Sequence, residues 1–138
     1  MTTIFRAKES IGEPVSDGPA AAMADALLSE LGDLLHRFLD TGEHGRIDLF
    51  KLPISPTDLL HFKDRLGRGE VSILVEAAGG SEIYETAYAG LWWVEHRDEL
   101  GRVIARLIEV ADAPSIVLAH RKDLEATAKT LIRSEESA

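Results

Sequence analysis

Between Leu66 and Val110 the chain reads as short apolar segments cut by turn residues, and this stretch limits the folds open to it. Glu70–Ala77 places Val71, Ile73 and Val75 on one face at a period of two, and Gly79-Gly80 follows as a turn. Ile83–Ala87 and Leu91–Glu95 are the next two strands, separated at Gly90. Asp98–Gly101 is a polar turn, and Val103–Val110 is a last strand with apolar residues on both faces. Strands this short, joined by turns of a few residues, pair as an antiparallel meander. Helical patterns stand on either side. The expected fold is therefore α+β: an antiparallel meander of four to five strands packed with about three helices.

Residues 19–39 repeat Met23, Leu27, Leu31, Leu34 and Phe38 at spacings of three and four, a helix with one apolar stripe. Leu28, Leu35 and Leu39 widen it; Ser16 or Asp17 is placed to cap it, and Gly42 and Gly45 to stop it. Arg46–Leu49 is a short strand. Ser55-Pro56-Thr57-Asp58 is a strong helix start, with Ser55 as cap and Pro56 in the first turn, and Gly67 ends that helix. Ser115–Ala119 reads equally as a buried strand or a helical turn. Asp123 is placed to cap a final helix with Leu124, Ala128 and Leu131 on its inner face. One domain over 19–133 is expected, with a flexible arm over 1–18 and a frayed tail over 134–138.

There is no cysteine, which removes disulfides, thiolate metal sites and cysteine nucleophiles. No apolar run approaches the roughly 20 residues of a membrane-spanning helix, and Met1–Ser10 lacks the apolar core of a secretory signal. A cytoplasmic protein without membrane insertion is expected. The net charge of −9 repels phosphate backbones, and the short basic run His120-Arg121-Lys122 is followed at once by Asp123, so nucleic acid is not an expected partner.

The five histidines, His36, His44, His61, His96 and His120, show no paired helical spacing, and no metal or other cofactor is expected. Glu76, Glu82, Glu85 and Glu95 fall on the strands, where two brought together would make an acid–base pair if one lost its water. The plainer reading is a solvated sheet face. Gly67-Arg68-Gly69-Glu70 and Gly79-Gly80-Ser81 match no phosphate loop and read as turns. Trp92 and Trp93 must point to opposite faces of their strand. One is expected to fill the core; the other faces solvent, a partner or a second chain, unless the N-terminal arm or an edge loop covers it.

At these residues the chain resembles the conserved C-terminal region of the HupH/HyaF family of hydrogenase expression proteins. The resemblance rests on Thr41-Gly42-Glu43, Ile47-Asp48-Leu49, Leu52-Pro53, Pro56 and Asp58, and Leu66-Gly67-Arg68-Gly69-Glu70-Val71. It continues through Ser81-Glu82, Glu85-Thr86, Gly90-Leu91-Trp92-Trp93-Val94, Ile108-Glu109-Val110 and Pro114, in order, over roughly residues 24–132. It implies a non-enzymatic accessory protein of nickel–iron hydrogenase assembly. The implied partners are the small-subunit precursor and other hydrogenase accessory proteins; an acidic surface would attract a twin-arginine signal or a basic surface of that precursor. The family motif points to Ser81, Glu82, Glu85, Thr86, Trp92 and Trp93 as the partner-binding surface. Family members are commonly about twice this length. The alternatives are a small ligand-binding domain or enzyme using the sheet carboxylates, and a homodimer joined at its sheet edges.

Overall fold

The structure, a computed structural model, describes residues 18–76 and 79–137. Its elements are α1 (Pro19–Thr41), β1 (Gly45–Asp48), α2 (Pro56–Leu66), β2 (Ser72–Val75), β3 (Ser81–Glu85), β4 (Leu91–Arg97), β5 (Val103–Val110) and α3 (Arg121–Ser137). Single 3-10 turns lie at Leu49–Lys51 and Ser115–Val117. The five strands form one antiparallel sheet in the order β1-β5-β4-β3-β2. The α+β meander expected from the sequence is the fold observed. The strands β2 to β5 follow chain order, and β1 returns from upstream of α2 to flank β5.

The helices α1 and α2 pack on one face of the sheet. Ala24, Leu27 and Leu31 of α1 and Phe62 and Leu66 of α2 meet Ile47, Tyr84, Leu91, Trp93, Ile108 and Val110 in the main core. Leu39, expected to widen the stripe of α1, is exposed. The cap of α2 forms as its sequence requires: Asp58 N–H donates to Ser55 Oγ at 3.1 Å, with Pro56 next in the chain. Gly18 caps α1 without a side-chain bond, and Ser16 and Asp17 lie outside the described residues. Gly42 closes α1 at φ 79°, its N–H reaching the Phe38 carbonyl.

Between α2 and β2 the chain passes through Gly67-Arg68-Gly69. Gly67 takes φ 67°, and a Cβ on Gly69 would stand 2.6 Å from the Thr86 carbonyl oxygen. The two glycines let the backbone press against the end of β3, where Gly69 N–H donates to Glu85 O at 2.7 Å. That approach aims the Arg68 side chain back over the sheet. At Gly79 the fit is tighter still, because a Cβ there would overlap the Asp98 carbonyl.

Three expectations need correction. Both tryptophans are buried, Trp93 at 0% exposure and Trp92 at 5%. They do face opposite ways. Trp92 joins Ile83 and Val94 in a second cluster, flanked by Ile73, Val75 and Leu107, to which no residue of the described helices belongs. The indole N–H of Trp92 is bound to Ala111 O at 3.0 Å. An N-terminal cover over this face lies outside the described residues. Second, α3 starts at Arg121, capped by the His120 ring, whose Nδ1 accepts from Lys122 N–H. Its supposed inner face is exposed at Leu124, Ala128 and Leu131. An apolar stripe states that a helix wants a partner; it does not say that the partner is this domain. Third, the helix runs on to Ser137, through residues expected to fray.

Candidate interaction surface

The two helices cover only part of their sheet face. Ile47, Ile108, Trp93, Tyr84 and Ser72 make one cross-strand row beneath them. The next row outward is Arg106, Glu95, Glu82 and Leu74, from β5 to β2. It forms an open shelf beside α2.

Register alone sets Glu82 directly opposite Glu95, a repulsive pair unless each is neutralised. Each has two cations. Glu95, with 4% exposure, accepts from Arg106 Nε at 2.8 Å and from Arg97 at 2.6 Å, just past a register shift in β4. Glu82 is half-buried between Lys63 at 3.8 Å and Arg68 at 3.5 Å. The cations also lie on aromatic faces. The Arg68 guanidinium is 3.8 Å from the centre of the Tyr84 ring, Lys63 is 5.0 Å from that of Trp93, and Arg106 is 6.0 Å from that of Phe50. Burial pushes the Tyr84 phenol up to about 12, with Arg68 acting the other way.

Four cations on two carboxylates leave a local surplus of positive charge in a chain of net −9. Exposed apolar side chains stand around them: Phe50, Leu74 and Ile104. A groove of about 490 Å³ opens at the β2 edge, lined among others by Arg68, Leu74, Glu82 and Arg97. Arginine beside aromatic and aliphatic anchors suits recognition of another polypeptide.

The six residues expected to bind a partner divide between the two faces. Glu82 lies on the shelf, with Trp93 buried under Lys63. Ser81 Oγ bonds His96 Nδ1 at 2.6 Å, and Glu85 accepts from Gly90 N–H at 3.4 Å. Thr86 is buried and ties the β3–β4 turn through both backbone groups of Tyr88. Trp92 fills the second cluster. Lys63, Arg68, Arg97 and Arg106 were not singled out by sequence reasoning. Their convergence depends on strand register and on the Gly67–Gly69 turn, although the Arg68 between two glycines was a visible signal.

A second polar group lies at the opposite end of β5. Buried Glu109 accepts from the Ser115 hydroxyl and from Ser115 N–H at 3.1 Å, and meets His44 Nδ1 at 3.1 Å. Ser115 Oγ also stands 3.0 Å from that same His44 nitrogen. A histidine relay needs serine and carboxylate on different ring nitrogens. Here Glu109 and Ser115 both use Nδ1, while the exposed Asp112 carboxylate stands 4.0 Å from Nε2, beyond hydrogen-bond reach, and the cluster pins the 3-10 turn Ser115–Val117 to the sheet. Among the described residues there is no group of three or more histidines and carboxylates placed to hold a metal, and no helix long and apolar enough to cross a membrane.

Residues 21–136 match the family model described as "HupH hydrogenase expression protein, C-terminal conserved region". The chain belongs to the HupH family. Its sequence is 35% identical over 124 residues to "Hydrogenase expression/formation protein HupH" of Rhodobacter capsulatus, covering 90% of this chain and 44% of that protein. With the protein of the same name from Rhizobium leguminosarum bv. viciae it shares 31% over 113 residues, 79% of this chain and 40% of the relative. The chain thus spans less than half the length of these curated family members. A solved structure, "Hydrogenase expression protein HupH from Thiobacillus denitrificans ATCC 25259", superposes with a TM-score of 0.72 at 41% identity, covering 83% of this chain and 96% of that one.

Proposed function

We propose that this protein is a non-catalytic, cytoplasmic accessory factor of nickel–iron hydrogenase assembly that holds an immature subunit, the small-subunit precursor, until cofactor insertion is complete. The observation that carries this reading is membership of a family whose named relatives are hydrogenase expression/formation proteins. The shelf of Lys63, Arg68, Arg97 and Arg106, with Glu82 and the apolar Phe50, Leu74 and Ile104, is the proposed contact surface. Of the residues that the family motif indicates, Glu82 acts there directly. Trp93, Trp92 and Thr86 act through the fold they support. Positive charge on the shelf favours an acidic stretch of the precursor over its basic leader.

The test is capture of purified small-subunit precursor by the tagged protein, with mature enzyme as the comparison. Arg68→Glu is expected to reduce precursor capture at least tenfold while the melting temperature moves little, since its side chain is about half exposed. Equal capture of precursor and mature subunit, or no effect of the charge reversal, would refute this assignment.

A further inference from the structure

We infer that the cleft between α1 and the β3–β4 turn is a binding site for one compact, uncharged apolar group, the size of a single aromatic ring or a leucine side chain. The proposal is independent of the function proposed above and uses no residue of the shelf.

The cleft holds about 300 Å³. Buried Leu31 and Leu91 make its floor, Leu28 and Leu35 flank it along α1, and Tyr88 lines it from the turn. Among the described residues that line it, none carries a charge. Volume and lining together set the ligand class. The space is at the small end for a binding pocket, and it offers no partner to an ionised group. Water in such a cleft is short of hydrogen-bond partners, so its displacement by an apolar group is favourable.

Gly32 is the observation that separates a site from a packing fault. It lies in the interior of α1 and lines the cleft. Among the described helices it is the one glycine. Glycine weakens a helix interior relative to alanine, because its backbone loses more freedom on folding. Elsewhere in this chain the missing Cβ has a reason: Gly69 and Gly79 sit against backbone carbonyls, and Gly42 and Gly90 take positive φ. Neither reason holds at Gly32. It takes no positive φ, and a Cβ there would meet nothing within 4 Å. Gly32 is exposed, so a ligand can enter over it. A glycine that weakens its helix and relieves no contact within the chain fits a position kept open for something outside the chain.

The opposite wall is fixed in advance. Thr86, itself buried, donates its hydroxyl to the Tyr88 carbonyl and accepts from the Tyr88 N–H, both at 3.1 Å. Leu91 N–H donates to the same carbonyl at 3.1 Å. Binding therefore orders little of the protein, which favours a ligand with little area to offer.

Leucine-methyl NMR of the full chain, titrated with indole, reads the outcome. Saturable shifts in the methyls of Leu28, Leu35 and Leu91 are expected, with dissociation on the order of 1 mM for a ligand of this size. Gly32→Leu, which fills the space, is expected to weaken indole about tenfold or more. Gly32→Ala is expected to raise the melting temperature by roughly 3 °C, which a glycine needed by the fold would not do. Leu60→Ser, which removes an exposed leucine from α2, is expected to leave binding unchanged. N-acetyltryptophanamide distinguishes the source of the group. Binding as tight as that of indole means a side chain carried on a polypeptide, whose flanking amides stay outside the cleft; binding of indole alone means a free small molecule. No saturable shift up to the solubility limit of indole would overturn the proposal, as would binding indifferent to Gly32→Leu or a melting temperature lowered by Gly32→Ala.

Discussion

Replacing either Trp92 or Trp93 with alanine is expected to lower stability by about 3–5 kcal/mol, because each fills a different core on a different face of β4. Denaturant melts of the two variants check this; a loss below 1 kcal/mol in either would mean that its side chain is not packed as described. The sequence carried the opposition of the two indoles, since adjacent strand residues must diverge. It did not carry the burial of both, which depends on what covers the second face. Glu95 was equally hidden, because its partners, two and eleven residues away, converge only after β4 and β5 find their register. Tyr84 supplies a pH dependence. Its phenol, raised to about 12 chiefly by burial, holds its proton more tightly folded than unfolded, where the ordinary value is 10.0. Its contribution is complete below pH 10 and is lost as pH rises toward 12. Tyrosinate absorbance during an alkaline titration should show one tyrosine ionising late, together with the loss of folded signal.

At the scale of elements, local chemistry was legible where it is self-contained. The Ser55-Pro56-Asp58 start of α2 is the clearest case, and Ser55→Ala is expected to destabilise by about 1 kcal/mol, read from the shift of the denaturation midpoint. The bounds of β5 also follow from its own pattern. β3 was less legible: it ends at Glu85 because the Thr86 side chain bonds the Tyr88 backbone and draws the chain into a turn. Gly67-Arg68-Gly69 read as a plain turn, whereas its second glycine is required by a carbonyl 2.6 Å from where a Cβ would stand. Gly69→Ala is therefore expected to destabilise the protein and to displace Arg68 from Tyr84, visible as a further rise in the pH at which that tyrosine ionises. For α3, amphipathicity was legible and its exposure was not. Hydrogen exchange should find its amides fast in dilute protein beside slow amides in β4 and β5.

For the whole molecule, the net charge of −9 hides a division. The cations of the shelf are concentrated on one side of the sheet, and the capture reactions proposed for that surface should weaken with added salt over the range in which screening shortens to roughly 10 Å.

The position of β1 has a consequence during synthesis. Among the described strands it lies at the sheet's edge and pairs with β5 alone, some 60 residues later in the chain. The apolar faces of α1 and α2 likewise await strands that follow them. A ribosome making this protein therefore emits both helices before the strands β2 to β5 that they pack against, and the sheet closes in one late event as Val110 emerges. Until then the nascent first half exposes apolar surface that the sheet will later cover, in a family whose members are named for hydrogenase expression and formation.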